Sequence, residues 1–109
     1  MLALLTYLTR QQLIKLHDEL VIAALWSATL PSESAMQSSA PFACDTMAFE
    51  QWLQFILIPK MHYLLDSAMP LPKAIAIAPM AEHVWAGKPE FCRIIKTITE
   101  LDELLSETN

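Results

Sequence analysis

A single glycine, Gly87, among 109 residues leaves no glycine-rich phosphate loop such as G-x-x-x-x-G-K, and that removes most nucleotide-binding classes. Cysteine is nearly as scarce. Cys44 and Cys92 lie far apart and form no C-x-x-C pair, so neither a metal site nor a redox motif is indicated. Free thiols, buried or half-buried in a reducing cytoplasm, are the expectation, with a disulfide as the alternative, since its geometry depends on distances a sequence does not give. The three histidines show no H-x-x-x-H or H-E-x-x-H spacing, and no serine sits in a nucleophile elbow, so no metal, cofactor or acyl-transfer site is expected.

Basic residues are also few: seven Lys and Arg, none clustered, against twelve Asp and Glu, for a net charge of −5. Nucleic-acid binding rests on cations that neutralise phosphates, so direct RNA or DNA binding is not expected. Residues 1–30 balance in charge, whereas 31–59 carry acids and no base, which places acidity in a loop region and again in the last helix. Long apolar runs are missing too. The stretches Leu20 to Leu30 and Trp52 to Pro59 fall short of the roughly 18 residues that span a bilayer. Met1-Leu2-Ala3-Leu4-Leu5 has no preceding positive charge and runs straight into Arg10, Gln11 and Gln12, so it reads as the first turns of an amphipathic helix in a cytoplasmic protein.

What the chain does have is apolar surface, 54% of its residues, above the usual fraction for a soluble domain of about 45–50%. Either four short helices around one core require it, or part of it meets a partner or a second copy. The length fits one domain over 1–109.

Prolines punctuate this surface. A first helix runs from about Leu2 to Ala28 on the stripe Leu13, Leu16, Leu20 and Ala24, and Pro31 ends it. The serine-rich segment Pro31 to Pro41 reads as a mobile loop, with Phe42 anchoring its end on the core. Asp45 or Thr46 caps a second helix, Met47 to about Ser67, apolar around most of its circumference and kinked or broken at Ile58 by Pro59. Pro79 opens a short third helix ending at Trp85 or Ala86, and Gly87 supplies the left-handed residue beyond it. Pro89 opens the fourth, on Phe91, Ile94, Ile98, Leu101 and Leu105, with Ser106 to Asn109 fraying. The fold class is all-α, an irregular four-helix bundle or array around a central proline-kinked helix.

The central segment resembles the YqcC-like proteins, small bacterial helical domains, through Pro41-Phe42, Asp45-Thr46-Met47, Trp52-Leu53-Gln54, Ile58-Pro59-Lys60-Met61, Leu71-Pro72 and Ala78-Pro79. It covers about the central two-fifths of the chain well and the terminal helices by their pattern. The resemblance implies the all-helical fold. YqcC-like genes tend to sit beside a tRNA pseudouridine synthase gene, which implies a role near tRNA modification and a synthase as possible partner.

Few residues suggest chemistry. His62 and Asp66, one helical turn apart, read as a surface hydrogen-bonded pair or, with a cleft and a reacting group, as an acid-base pair. Trp52 is either core, with Gln54 bonding a neighbouring loop near Phe42, or part of a groove between the second helix and the Leu71 to Met80 turn. That groove would comprise Phe42, Met47, Trp52, Gln54, Met61, His62, Leu71 and Met80. The functional expectation is a non-enzymatic interaction or accessory module, as homodimer or docked on an enzyme. The alternative is a metabolite binder whose pocket is lined by Phe42, Met47, Trp52 and Met61.

Overall fold

Leu13, Leu16 and Leu20 are fully buried on the core face of the first helix, as its periodicity predicts, and Thr9 joins them, whereas Ala24, the fourth residue of the expected stripe, is exposed beyond the helix end. The computed structural model describes residues 2–72 and 75–106. Among these there is no strand, and five helices form an all-α bundle: α1 Leu2–Ile22, α2 Glu33–Met36, α3 over 49–66, α4 Ala78–Val84 and α5 Cys92–Ser106. Of the residues expected to fray, Ser106 is still helical as the last residue of α5, and 107–109 lie outside the described residues.

Helix α1 stops six residues before the expected Ala28. Ala24 takes a left-handed φ of 61°, Leu25 N–H bonds Leu20 C=O at 2.9 Å and Ala24 N–H bonds Val21 C=O at 3.0 Å. These are the two bonds of a Schellman turn, formed here by alanine where glycine is usual. The end of α3 repeats it. Ala68 has φ 54°, and Met69 and Ala68 bond back to Leu64 and Leu65.

The stretch 31–41, expected as a loop without period, contains the short helix α2. Ser32 caps α2 by accepting the Ala35 N–H at 3.2 Å, and a tight turn over Pro41–Ala43 follows. Asp45 and Thr46 do not cap the next helix. Asp45 accepts the Ser38 hydroxyl at 2.5 Å, and Thr46 donates to the Ala35 carbonyl at 2.9 Å, so both fasten this segment instead. Helix α3 starts two residues later than expected, at Phe49, with Ala48 as N-cap and the Gln51 side chain accepting the Ala48 N–H at 3.1 Å.

Pro59 does not break α3. Residues Leu53–Leu57 widen into a π turn in which Ile58 N–H bonds the Leu53 carbonyl, five residues back. The ladder thus shifts register just before the residue that has no N–H to give, and Ile58–Asp66 continues as α-helix. Phe49, Leu53, Leu57, Ile58, Met61 and Leu65 are its core face.

The short helix α4 and the start of α5 match the proline and glycine signals. Pro79 lies in the first turn of α4, Gly87 has φ 74°, and Pro89 begins a 3₁₀ turn that leads into α5. Ile94, Ile98, Leu101 and Leu105 of α5 are buried. Helix α1 lies antiparallel to both α3 and α5: Arg10 meets Asp66 while Ser27, beyond the helix end, meets Gln54, and Gln12 meets Glu100 while Glu19 meets Arg93.

Candidate functional site

Aromatic side chains tie the segments around α3 together. Phe42 packs edge-on against Trp52 with centroids 4.9 Å apart, Phe49 stacks on Trp52 at 6.1 Å, Phe49 meets Trp85 of the α4 end at 5.2 Å, and Trp85 meets Phe91 at 5.4 Å. Each such pair adds about 0.5–1.5 kcal/mol beyond its area. Phe42 is the anchor expected, and it holds an unusual backbone: Phe42 and Ala43 have φ of 57° and 50°. Left-handed angles cost a non-glycine residue about 1–2 kcal/mol, which this packing offsets.

The eight residues expected to line a groove go to several places. Phe42 and Trp52 are in contact, and with Leu71 and Met80 they are partly buried against the core. Met47 is half-buried. Met61, at 1% exposure, is a core side chain. Gln54 is buried and bonds a loop backbone, as one reading had it, but the loop is the one after α1 rather than that near Phe42. Its Oε1 accepts Ser27 N–H at 2.7 Å and its Nε2 donates to Ser27 C=O at 2.9 Å. The Leu71 to Met80 segment includes residues 73 and 74, which lie outside the described residues.

His62 and Asp66 do not bond each other. Arg10 of α1 reaches both, placing one guanidinium nitrogen 3.4 Å from His62 Nδ1 and another 3.1 Å from Asp66 Oδ1. A guanidinium has only donors, so Nδ1 is the acceptor in this contact. The expected pair is therefore a bridge between α1 and α3. Its carboxylate is largely exposed and no nucleophile lies in the bridge.

Cys44 and Cys92 are free thiols, but exposed rather than buried. A concavity of about 400 Å³ lies between the end of α4 and the start of α5, lined by Trp85, Lys88, Cys92 and Ile95 among others, so it shares no residue with the pocket expected for a metabolite. Among the described residues no three His, Cys, Asp or Glu side chains converge on a metal position. No helix among them is long and apolar enough to cross a membrane.

The periodicity reading missed a second stripe on α1. Opposite the core face, Leu4, Tyr7, Ile14 and Val21 are 58%, 59%, 44% and 49% exposed, and Ile22 is 74% exposed. Tyr7, Ile14 and Val21 recur every seven residues, which keeps them on one side of a helix. The flanking cations are engaged elsewhere: Arg10 with Asp66, and Lys15 with Glu100 at 3.1 Å. The signal was present in the sequence as apolar residues on both faces of one helix.

An all-helical domain with this aromatic brace, and with a long first helix held antiparallel to two others, has close counterparts. Residues 8–104 match the family model DUF446, described as "tRNA pseudouridine synthase C", and the chain belongs to that family, as its YqcC-like resemblance implied. The solution NMR structure of protein YqcC from Escherichia coli superposes with a TM-score of 0.86 at 36% identity, covering 96% of this chain and 91% of that one. An uncharacterised Haemophilus influenzae protein is 36% identical over 88% of this chain and 91% of its own length. A Pectobacterium carotovorum protein named tRNA pseudouridine synthase C is 37% identical over 72% of this chain, and the match spans only 21% of that longer protein.

Proposed function

We propose that this chain is a non-catalytic, cytoplasmic accessory module of a tRNA pseudouridine synthase, which it contacts as a protein partner while leaving the RNA to the enzyme. The observation that carries this reading is the Pectobacterium protein, in which a stretch similar to most of this chain forms about a fifth of a protein bearing the synthase name. A domain found inside another chain works beside the rest of that chain, and as a separate polypeptide it keeps the same neighbour by non-covalent docking. Charge supports the same arrangement. At −5 the chain repels RNA and is attracted to the basic surface that an RNA-binding enzyme requires. The Arg10, His62 and Asp66 bridge binds two helices together, a structural role for these side chains.

The test is reconstitution with the host's own tRNA pseudouridine synthase C. Size-exclusion chromatography of the mixed proteins should give a complex, and pseudouridine formation in unmodified host tRNA should change when the chain is added. Pseudouridine formed by the chain alone, or two proteins that elute separately at micromolar concentration with unchanged synthase rates, would defeat the reading.

A further inference from the structure

The outer face of α1 departs from an ordinary surface by the apolar side chains it exposes. Its core face is filled by Thr9, Leu13, Leu16 and Leu20, and the exposed Leu4, Tyr7, Ile14, Val21 and Ile22 face away from that core. At ordinary side-chain areas they present on the order of 500 Å², the upper end of what monomers leave open and the size at which such patches mark contact sites. A helix apolar on two opposite faces is one packed on two sides.

We infer that this face of α1 is where the tRNA pseudouridine synthase docks, through an apolar surface of the enzyme edged by basic side chains. The inference rests on the accessory reading above. Charge complementarity selects this occupant over a second copy. Arg10 and Lys15, the cations flanking the stripe, are already taken up by Asp66 and Glu100. Asp18, on the same side as the stripe and 61% exposed, has only the adjacent His17 as partner among the described residues, at 3.0 Å. It presents a carboxylate to a lysine or arginine of a basic enzyme. Two copies, each at −5, repel one another, and a parallel pairing of the stripe would set Asp18 against its own equivalent. The recurrence of Tyr7, Ile14 and Val21 at seven residues suits a helix of the partner laid alongside α1 at a shallow angle.

The experiment compares the wild-type chain, a Tyr7→Gln/Ile14→Gln/Val21→Gln variant and a Glu82→Gln control on α4 for binding to the intact synthase by isothermal titration calorimetry. Glutamine keeps helix propensity, and circular dichroism with a thermal melt verifies folding; a single Tyr7→Gln variant serves if the triple variant melts early. The triple variant should bind at least roughly 30-fold more weakly, the size of one central hot spot, with Glu82→Gln unchanged. Equal binding by folded stripe variants and wild type overturns the assignment of the face and leaves the accessory reading standing. Failure of the wild-type chain to bind removes the accessory reading and this inference with it. A wild-type dimer in analytical ultracentrifugation that the triple variant dissolves gives the face to a second copy and overturns the inference.

Discussion

Gln54 holds Ser27 by both of its backbone groups: the side-chain amide accepts from the Ser27 N–H at 2.7 Å and donates to its carbonyl at 2.9 Å. The pair does the work of a short piece of sheet, with a side chain in place of a second strand, and it fixes where the chain goes after leaving α1. Replacing Gln54 by Leu leaves two backbone groups without partners beside the core, at a cost of about 2–4 kcal/mol from two such losses. Ser27→Ala keeps both bonds and loses only the exposed hydroxyl's contacts to the Thr29 backbone, so it should cost less, about 0.5–1 kcal/mol. Urea unfolding of the two variants checks the contrast; equal losses would mean that the backbone pairing does not matter.

Thr9 is fully buried on the core face of α1, and its hydroxyl has no hydrogen-bond partner among the described residues. Valine has nearly the same shape without the polar atom. Thr9→Val should therefore stabilise the protein by about 1–2 kcal/mol, the desolvation cost of an unpaired hydroxyl. A higher urea midpoint at unchanged slope is the expected result.

Ala24 and Ala68 each end a long helix in the left-handed region. Glycine there removes the strain on Cβ, about 1–2 kcal/mol, and adds back part of it as chain entropy. Ala24→Gly and Ala68→Gly should each raise stability by roughly 0.5–1 kcal/mol, measured by thermal and urea unfolding. Glycine in a regular helix does the opposite, so the sign tests the Schellman turns directly.

Pro59 sits just beyond a π turn that has already rerouted the ladder through Ile58 and Leu53. Relief of an ordinary interior proline gains about 3 kcal/mol, but here no such strain remains to be relieved. Pro59→Ala should instead lose roughly 0.4–1 kcal/mol, because the unfolded chain becomes freer. Denaturant unfolding distinguishes the two signs.

Glu100 accepts from the Gln12 amide and the Lys15 ammonium, each at 3.1 Å. The hydrogen bond from Gln12, followed by that from Lys15, holds its carboxyl below the usual 4.5. A carboxyl depressed in the folded state adds stability that is complete above pH 4.5 and is lost as pH falls through the lower folded value. The wild type should thus exceed Glu100→Gln by roughly 0.2–1 kcal/mol near pH 7, a small figure for a largely solvated group, and the gap should close in acid. Unfolding free energies between neutral pH and pH 3 test this.

Local chemistry was enough for the sequence to determine the all-helical class, the core stripes of α1 and α5, and the proline and glycine boundaries at Pro79, Gly87 and Pro89. A proline ring fixes φ and removes a donor wherever it stands, and glycine alone enters the left-handed region without strain, so these signals act within a turn of themselves. Tertiary structure decided the rest. It ended α1 at Ile22 through an alanine that carries no stop signal, with Gln54, far along the chain, holding the segment that follows. It turned the Pro59 kink into a π turn, gave Asp45 and Thr46 to the 31–41 segment, and divided His62 and Asp66 between contacts to one arginine. It also left Tyr7, Ile14 and Val21 uncovered, because which face of an apolar helix lies inside depends on the neighbours that pack against it, and those neighbours are chosen by the whole chain.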